Sequence, residues 1–199
     1  MTTLNLKSAF FHVIDSHRWL AASGCAWNLV GANATTQTKA EADRLLPNVD
    51  VIVRDPLLLH ARSLIKFYRA PKGRGTDIVL ADFHGLRISP QLQGDLKEYE
   101  RPIEVHLLHL TDYRDPDYRN NHPTNRPTFR PDWNSEAIRI VELLLECAKY
   151  VSGQRGGWQQ PFKDLYEAAD GRYRDKFYRW PSKLGEKADV EEYLTSLGL

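Results

Sequence analysis

The chain has 199 residues, 42% hydrophobic and 27% charged, the composition of an ordinary globular protein with mass for one buried core. Its net charge of +1 and pI near 7.8 give no bulk attraction to nucleic acid or anionic lipid, so either contact must come from a local patch. No uninterrupted apolar run approaches the roughly eighteen residues a membrane span needs, and Lys7, His12, Asp15, His17 and Arg18 break the first thirty residues against a signal peptide.

Residues 4–30 carry Leu6, Phe10, Val13, Ile14, Leu20, Trp27 and Leu29. This density predicts one or two helices, interrupted near Ser23-Gly24 because glycine is costly inside a helix. Residues 36–46 predict a short helix closed by Pro47-Asn48. A stronger helix is predicted over 55–68, with Asp55 as N-cap, Pro56 at the first helical position, and a stripe of Leu57, Leu58, Ala61, Leu64, Ile65 and Tyr68. Pro71-Lys-Gly-Arg-Gly75 stops it. Thr76-Asp77 opens a short element, a helical turn or, for Ile78-Val79-Leu80, a strand.

The period of Leu92, Leu96, Tyr99, Ile103, His106, Leu107 and Leu110 predicts a helix over about 90–113, with Pro102 bending or interrupting it. Four prolines (116, 123, 127 and 131) make the next stretch a long loop, in which Arg114, Arg119, Arg126 and Arg130 outnumber Asp115 and Asp117. Asp132 or Asn134 caps a core helix with the stripe Ile138, Val141, Leu144, Leu145, Ala148 and Val151. Gly153-Gln-Arg-Gly-Gly157 breaks it, and the aromatic-rich, mildly basic tail holds helical pieces at about 161–170 and 188–197. The expected architecture is an all-α bundle over 1–152 with a C-terminal extension, 153–199, packed on it or on a partner.

Cys25 and Cys147 lie in apolar contexts and form no Cys-x-x-Cys, so they read as free buried thiols of a cytoplasmic protein, with no structural zinc. No glutamate is followed three residues later by a histidine, so the di-metal pattern of helical bundles is missing. Neither a nucleophile elbow nor a Walker motif occurs. No metal and no cofactor are expected. Arg101, His106 and His109 remain, the minimum for cleaving RNA without a metal. A histidine moves the proton, an arginine holds the phosphate, and the basic loop tracks the backbone. Equally, His106 falls on the apolar stripe, where it reads as a satisfied core histidine.

Arg101-Pro-Ile-Glu-Val-His106 resembles the Arg-x(4–6)-His motif of HEPN-superfamily proteins, small helical bundles of bacterial toxin–antitoxin and phage-defence systems. Leu58-Leu-His-Ala-Arg-Ser-Leu-Ile-Lys-Phe67, Asp77-Ile-Val-Leu-Ala-Asp-Phe83 and His109-Leu-Thr111 are similar to a group of uncharacterised bacterial helical proteins. The resemblance covers about 50–150. It implies a HEPN-like bundle, a homodimer, and metal-independent endoribonuclease activity. His109 or His106 would be the acid/base and Arg101 or Arg62 the phosphate ligand, while His60, Asp82, Arg114 and Arg119 would bind RNA or another ligand. The alternative is a non-catalytic interaction or ligand-binding module in which His60, Arg62, Asp82 and His109 form a structural cluster at one end of the bundle, with a protein partner and no membrane.

Overall fold

The structure is a computed structural model that describes residues 5–30, 40, 41, 44, 49–73, 77–112 and 133–199, without the side chains of 50, 51, 108–112 and 134. Helix α1 spans Leu6–Val30, α2 Val49–Arg69, α3 Pro90–Asp112, α4 Trp133–Ser152, α5 Gln159–Arg174 and α6 Lys187–Ser196. Among the described residues there is no strand. The all-α expectation holds. Of the helix expected at 36–46 only residues 40, 41 and 44 are described, each helical, while the loop after 113, Asp132 and the side chain of Asn134 lie outside the described residues and side chains.

Helix α1 is the spine, touching α2, α4, α5 and α6, while α2 also packs on α3 and α4. Asn5 starts the spine, its Oδ1 accepting the N–H groups of Lys7 and Ser8 at 3.1 and 3.2 Å. The expected interruption at Ser23-Gly24 is absent, and α1 runs unbroken. Its glycine serves helix packing instead. A Cβ at Gly24 would stand 3.0–3.1 Å from Val141 of α4 and Tyr173 of α5, so the missing side chain lets three helices approach.

Two prolines fall inside helices rather than at their ends. Pro56 lies seven residues into α2, and Asp55 is therefore not its N-cap. Val53, in the turn before it, packs against the core, and that contact carries the helix past the lost hydrogen bond. Pro102 likewise sits within α3 without ending it, beside fully buried Ile103. The start of α3 follows the expected chemistry: Ser89 Oγ accepts the N–H of Leu92 at 3.2 Å, and Pro90 fills the first helical position.

Residues 77–79 are neither helix nor strand, and the helical turn is a 3-10 turn at Leu80–Asp82 that starts after Val79 rather than from a cap at Thr76-Asp77. The turn drives Phe83 into an aromatic centre. Its ring meets Trp158 edge-on at 4.7 Å and lies 5.7–5.9 Å from Phe10, Phe67 and Phe162. His84 and Gly85 then take positive φ, 56° and 74°, and reverse the chain toward α3. Residues of the C-terminal extension supply part of the same core: Trp158, Phe162, Leu165 and Ala169 from the start and middle of the extension, and Leu184, Val190 and Leu194 from its end. The extension packs on the bundle, and Lys7 Nζ donates to Thr195 Oγ1 at 2.8 Å to join α1 to α6.

Candidate functional site

Two of the predicted functional residues, Arg62 and His106, lie along the seam between α2 and α3, whose side-chain pairs advance in opposite chain directions. One face of α2 presents Arg62, Lys66 and Arg69, and the facing side of α3 presents Glu100 and Glu104. Glu104 Oε1 lies 3.2 Å from Lys66 Nζ and 3.6 Å from Arg62 Nη2, and Arg69 pairs with Glu100. At the other end the polarity reverses. Asp55 of α2 lies 3.5 Å from Nε2 of His106 on α3 and 3.2 Å from Arg54 Nε. The His106 ring also meets Trp133 edge-on, centroids 5.4 Å apart. These partly exposed pairs are each worth about 0–1 kcal/mol, against about 1.5–3 kcal/mol for burying one large apolar side chain. The core holds the helices together, and the seam chooses how they face.

Arg101 and His106 do not share a cleft. Five residues turn an α-helix through about 500°, leaving the two side chains about 140° apart around α3. His106 accordingly faces Asp55 and Trp133, while Arg101 is exposed.

The three-segment cluster is not assembled by the residues that are described. His60 turns toward α1, where its ring stacks on Trp19 (6.2 Å, 11° between planes). Burial pushes the His60 imidazole below its ordinary value, with Asp15 opposing. Arg62 turns the other way, to Glu104. Asp82 serves its own turn, with Oδ2 accepting the Val79 N–H at 3.0 Å. The side chain of His109, and all of Arg114 and Arg119, lie outside the described residues.

Sequence reasoning passed over two other polar arrangements. The first centres on His17, fully buried on α1. Its Nδ1 lies 2.9 Å from the Val13 carbonyl, which can only accept, so Nδ1 carries the hydrogen and Nε2 accepts from the Tyr68 hydroxyl at 2.9 Å. Burial pushes this imidazole down to about 4, against the pull of the Val13 carbonyl. Burial and the nearby Cys147 thiol together raise Tyr68, so the trio is neutral. A lone histidine amid Phe10, Val13, Ile14 and Leu20 was the signal in the sequence.

The second is Asp164 of α5. Burial alone would raise its carboxyl, but donors from Lys183, Tyr193 and Gln160 outweigh that and hold it below the ordinary value. Lys183 also lies over the Tyr193 ring, 4.6 Å from its centre, so one carboxylate clasps the 3-10 turn at Ser182–Leu184 and helix α6 to α5.

Among the described residues, no group of three or more His, Cys, Asp or Glu side chains is arranged to hold a metal ion, and no helix is long and apolar enough to cross a membrane. No family model, curated protein or solved structure matches the chain.

Proposed function

We propose that this chain is a HEPN-like helical module that works by binding rather than by catalysis. One observation carries the reading: of the described residues nominated for chemistry, all but the exposed Arg101 are committed to neighbouring helices or to their own backbone. Arg62 faces Glu104, His106 faces Asp55, His60 lies on Trp19 and Asp82 holds a turn. A general acid/base and a phosphate ligand must converge on one reacting group, and Arg101 and His106 diverge. Surface composition supports the same reading. Trp19, Ile52 and Leu59 are 50%, 50% and 51% exposed on α1 and α2, apolar surface that a second copy or a protein partner would gain by covering.

The test is RNA cleavage by the purified full chain with chelator present and no added metal. The expected result is intact RNA. Cleavage that disappears in both His106→Ala and His109→Ala would overturn the binding reading in favour of a metal-independent endoribonuclease, with RNA reaching His109 and the Arg114–Arg119 stretch. Sedimentation velocity, comparing wild type with Leu59→Glu, tests whether the exposed α1–α2 face joins two copies.

A further inference from the structure

Helix α5 ends in the stretch 170–183, Asp-Gly-Arg-Tyr-Arg-Asp-Lys-Phe-Tyr-Arg-Trp-Pro-Ser-Lys, where five cations face two carboxylates and aromatics alternate with them. In a chain of net charge +1 this is a concentrated basic, aromatic segment. At its tip Phe177 is 79% exposed, the most exposed large apolar side chain among the described residues. The neighbouring Lys176 Nζ lies 4.9 Å from the centre of its ring.

The exposure is built into the turn. Asp175 N–H donates to the Gly171 carbonyl at 3.0 Å, Asp175 Oδ1 accepts the Phe177 N–H at 2.9 Å, and the Asp175 carbonyl accepts the Tyr178 N–H at 3.0 Å. Arg172 Nη1 reaches back to the Lys176 carbonyl at 2.8 Å. The Tyr178 ring occupies the space beside Gly171, where a Cβ would stand 2.5 Å from it. The backbone is thus fixed by four contacts while the Phe177 ring stands in solvent, an arrangement that lowers the ordering cost of binding.

Beside the ring is a hollow of about 320 Å³, bordered by Asn28 and Leu29 from the end of α1 and by residues 173–177, among which the Asp175 carboxylate is engaged by the Phe177 N–H. Asn28 and Glu142 lie near the Tyr173 hydroxyl, the first lowering and the second raising its pKa, while burial raises it most. The Asn28 amide, with two donor hydrogens and an acceptor oxygen, keeps capacity for a further partner. Arg174 is held by Asp170, whereas Lys176 and Arg179 are exposed and make no ion pair among the described residues.

We infer that this hollow and the Phe177 turn bind single-stranded nucleic acid, seating one nucleotide. The base stacks on Phe177 and offers its edge to Asn28, and Lys176 and Arg179 take the flanking phosphates. A flat ring, exposed cations and a small polar-edged concavity are what an unpaired nucleotide requires. An anionic membrane is the weaker fit. It rewards several large apolar side chains at one level, and here Trp180 is half-buried with its Nε1–H committed to the Leu184 carbonyl at 2.8 Å. This site lies away from the α2–α3 seam and stands whether or not the chain cleaves RNA.

The experiment is fluorescence anisotropy of labelled 12-mers of deoxythymidine and of uridine with the full chain, alongside co-sedimentation with vesicles containing phosphatidylserine. Wild type should bind the oligonucleotides, with about sevenfold weakening from 50 to 200 mM salt if two phosphates are neutralised. Phe177→Ala should weaken binding by roughly 5- to 150-fold, the loss of one base–aromatic stack, and Phe177→Tyr should restore it. Lys176→Gln with Arg179→Gln should flatten the salt dependence, and Lys97→Gln on α3 should change nothing. All four positions are exposed, so circular dichroism should report unaltered melting. Equal binding by wild type and Phe177→Ala overturns the inference, as does vesicle binding or no binding at all in place of oligonucleotide binding.

Discussion

The buried His17 makes the stability of this protein sensitive to mild acid. Its imidazole binds a proton only near pH 4 in the folded chain, against about 6.5 when unfolded. Between those values the unfolded state holds the extra proton, so stability is fully present above about pH 6.5 and falls as the pH drops toward 4. Each pH unit inside the window is worth about 1.4 kcal/mol, which gives about 2 kcal/mol lost from pH 7 to pH 5 and about 3 kcal/mol by pH 4. For a chain of this size the first figure corresponds to a fall in Tm of about 4–8 °C. The geometry gives the cause. Protonating Nε2 turns it into a donor, so Tyr68 must become the acceptor and redirect its own hydrogen inside the core. Thermal and urea unfolding at pH 7, 6 and 5, wild type against His17→Gln, measure the effect. Glutamine keeps an amide that donates and accepts but does not titrate, so the difference between the two curves isolates this residue from His60, which shifts in the same direction. Parallel curves over that range would refute the reasoning, however much either protein is destabilised at pH 7.

Other expectations follow from packing and from single contacts. Gly94→Ala, at an exposed helical position with nothing within 4 Å of the new Cβ, should stabilise by about 0.5–1 kcal/mol in urea unfolding. Gly24→Ala should give no such gain and should destabilise by about 1 kcal/mol or more, because its Cβ meets the stiff Val141 side chain at 3.0 Å. Asp164→Asn should cost about 1–3 kcal/mol and speed hydrogen exchange across α6, since it weakens the clasp to Lys183 and Tyr193. The Cys147 thiol, pushed up to about 12 by burial and by Glu146 and Asp95, should resist disulfide exchange reagents at pH 8 until urea unfolds the chain.

The helical architecture was legible because apolar residues recur at helical spacing in every element that packs, from Leu57 to Tyr68 and again from Ile138 to Val151. Local rules failed where tertiary contacts outweighed them. Gly24 reads as a breaker until its partners Val141 and Tyr173, more than a hundred residues away, are in view. Pro56 reads as a helix start until Val53 is seen against the core. The seam left a trace that motif reasoning missed: Arg62, Lys66 and Arg69 advance by four and three, Glu100 and Glu104 by four, two complementary charge stripes on separate helices. Reading Arg101 and His106 as a motif instead hid the helical phase that separates them.

The change of partner type at the end of that seam, from cation–carboxylate pairs to an imidazole on a carboxylate, works as a lock on alignment. Three cations opposite two carboxylates would tolerate α3 sliding one turn along α2, because a displaced glutamate finds the next cation. With Asp55 and His106 at the end, the same slide carries the imidazole off its carboxylate. Each pair adds little stability alone, yet together they make one alignment better than its neighbours. Reversing both ends, by Asp55→Lys with Arg69→Glu, would penalise the native alignment while leaving the apolar stripes of both helices intact.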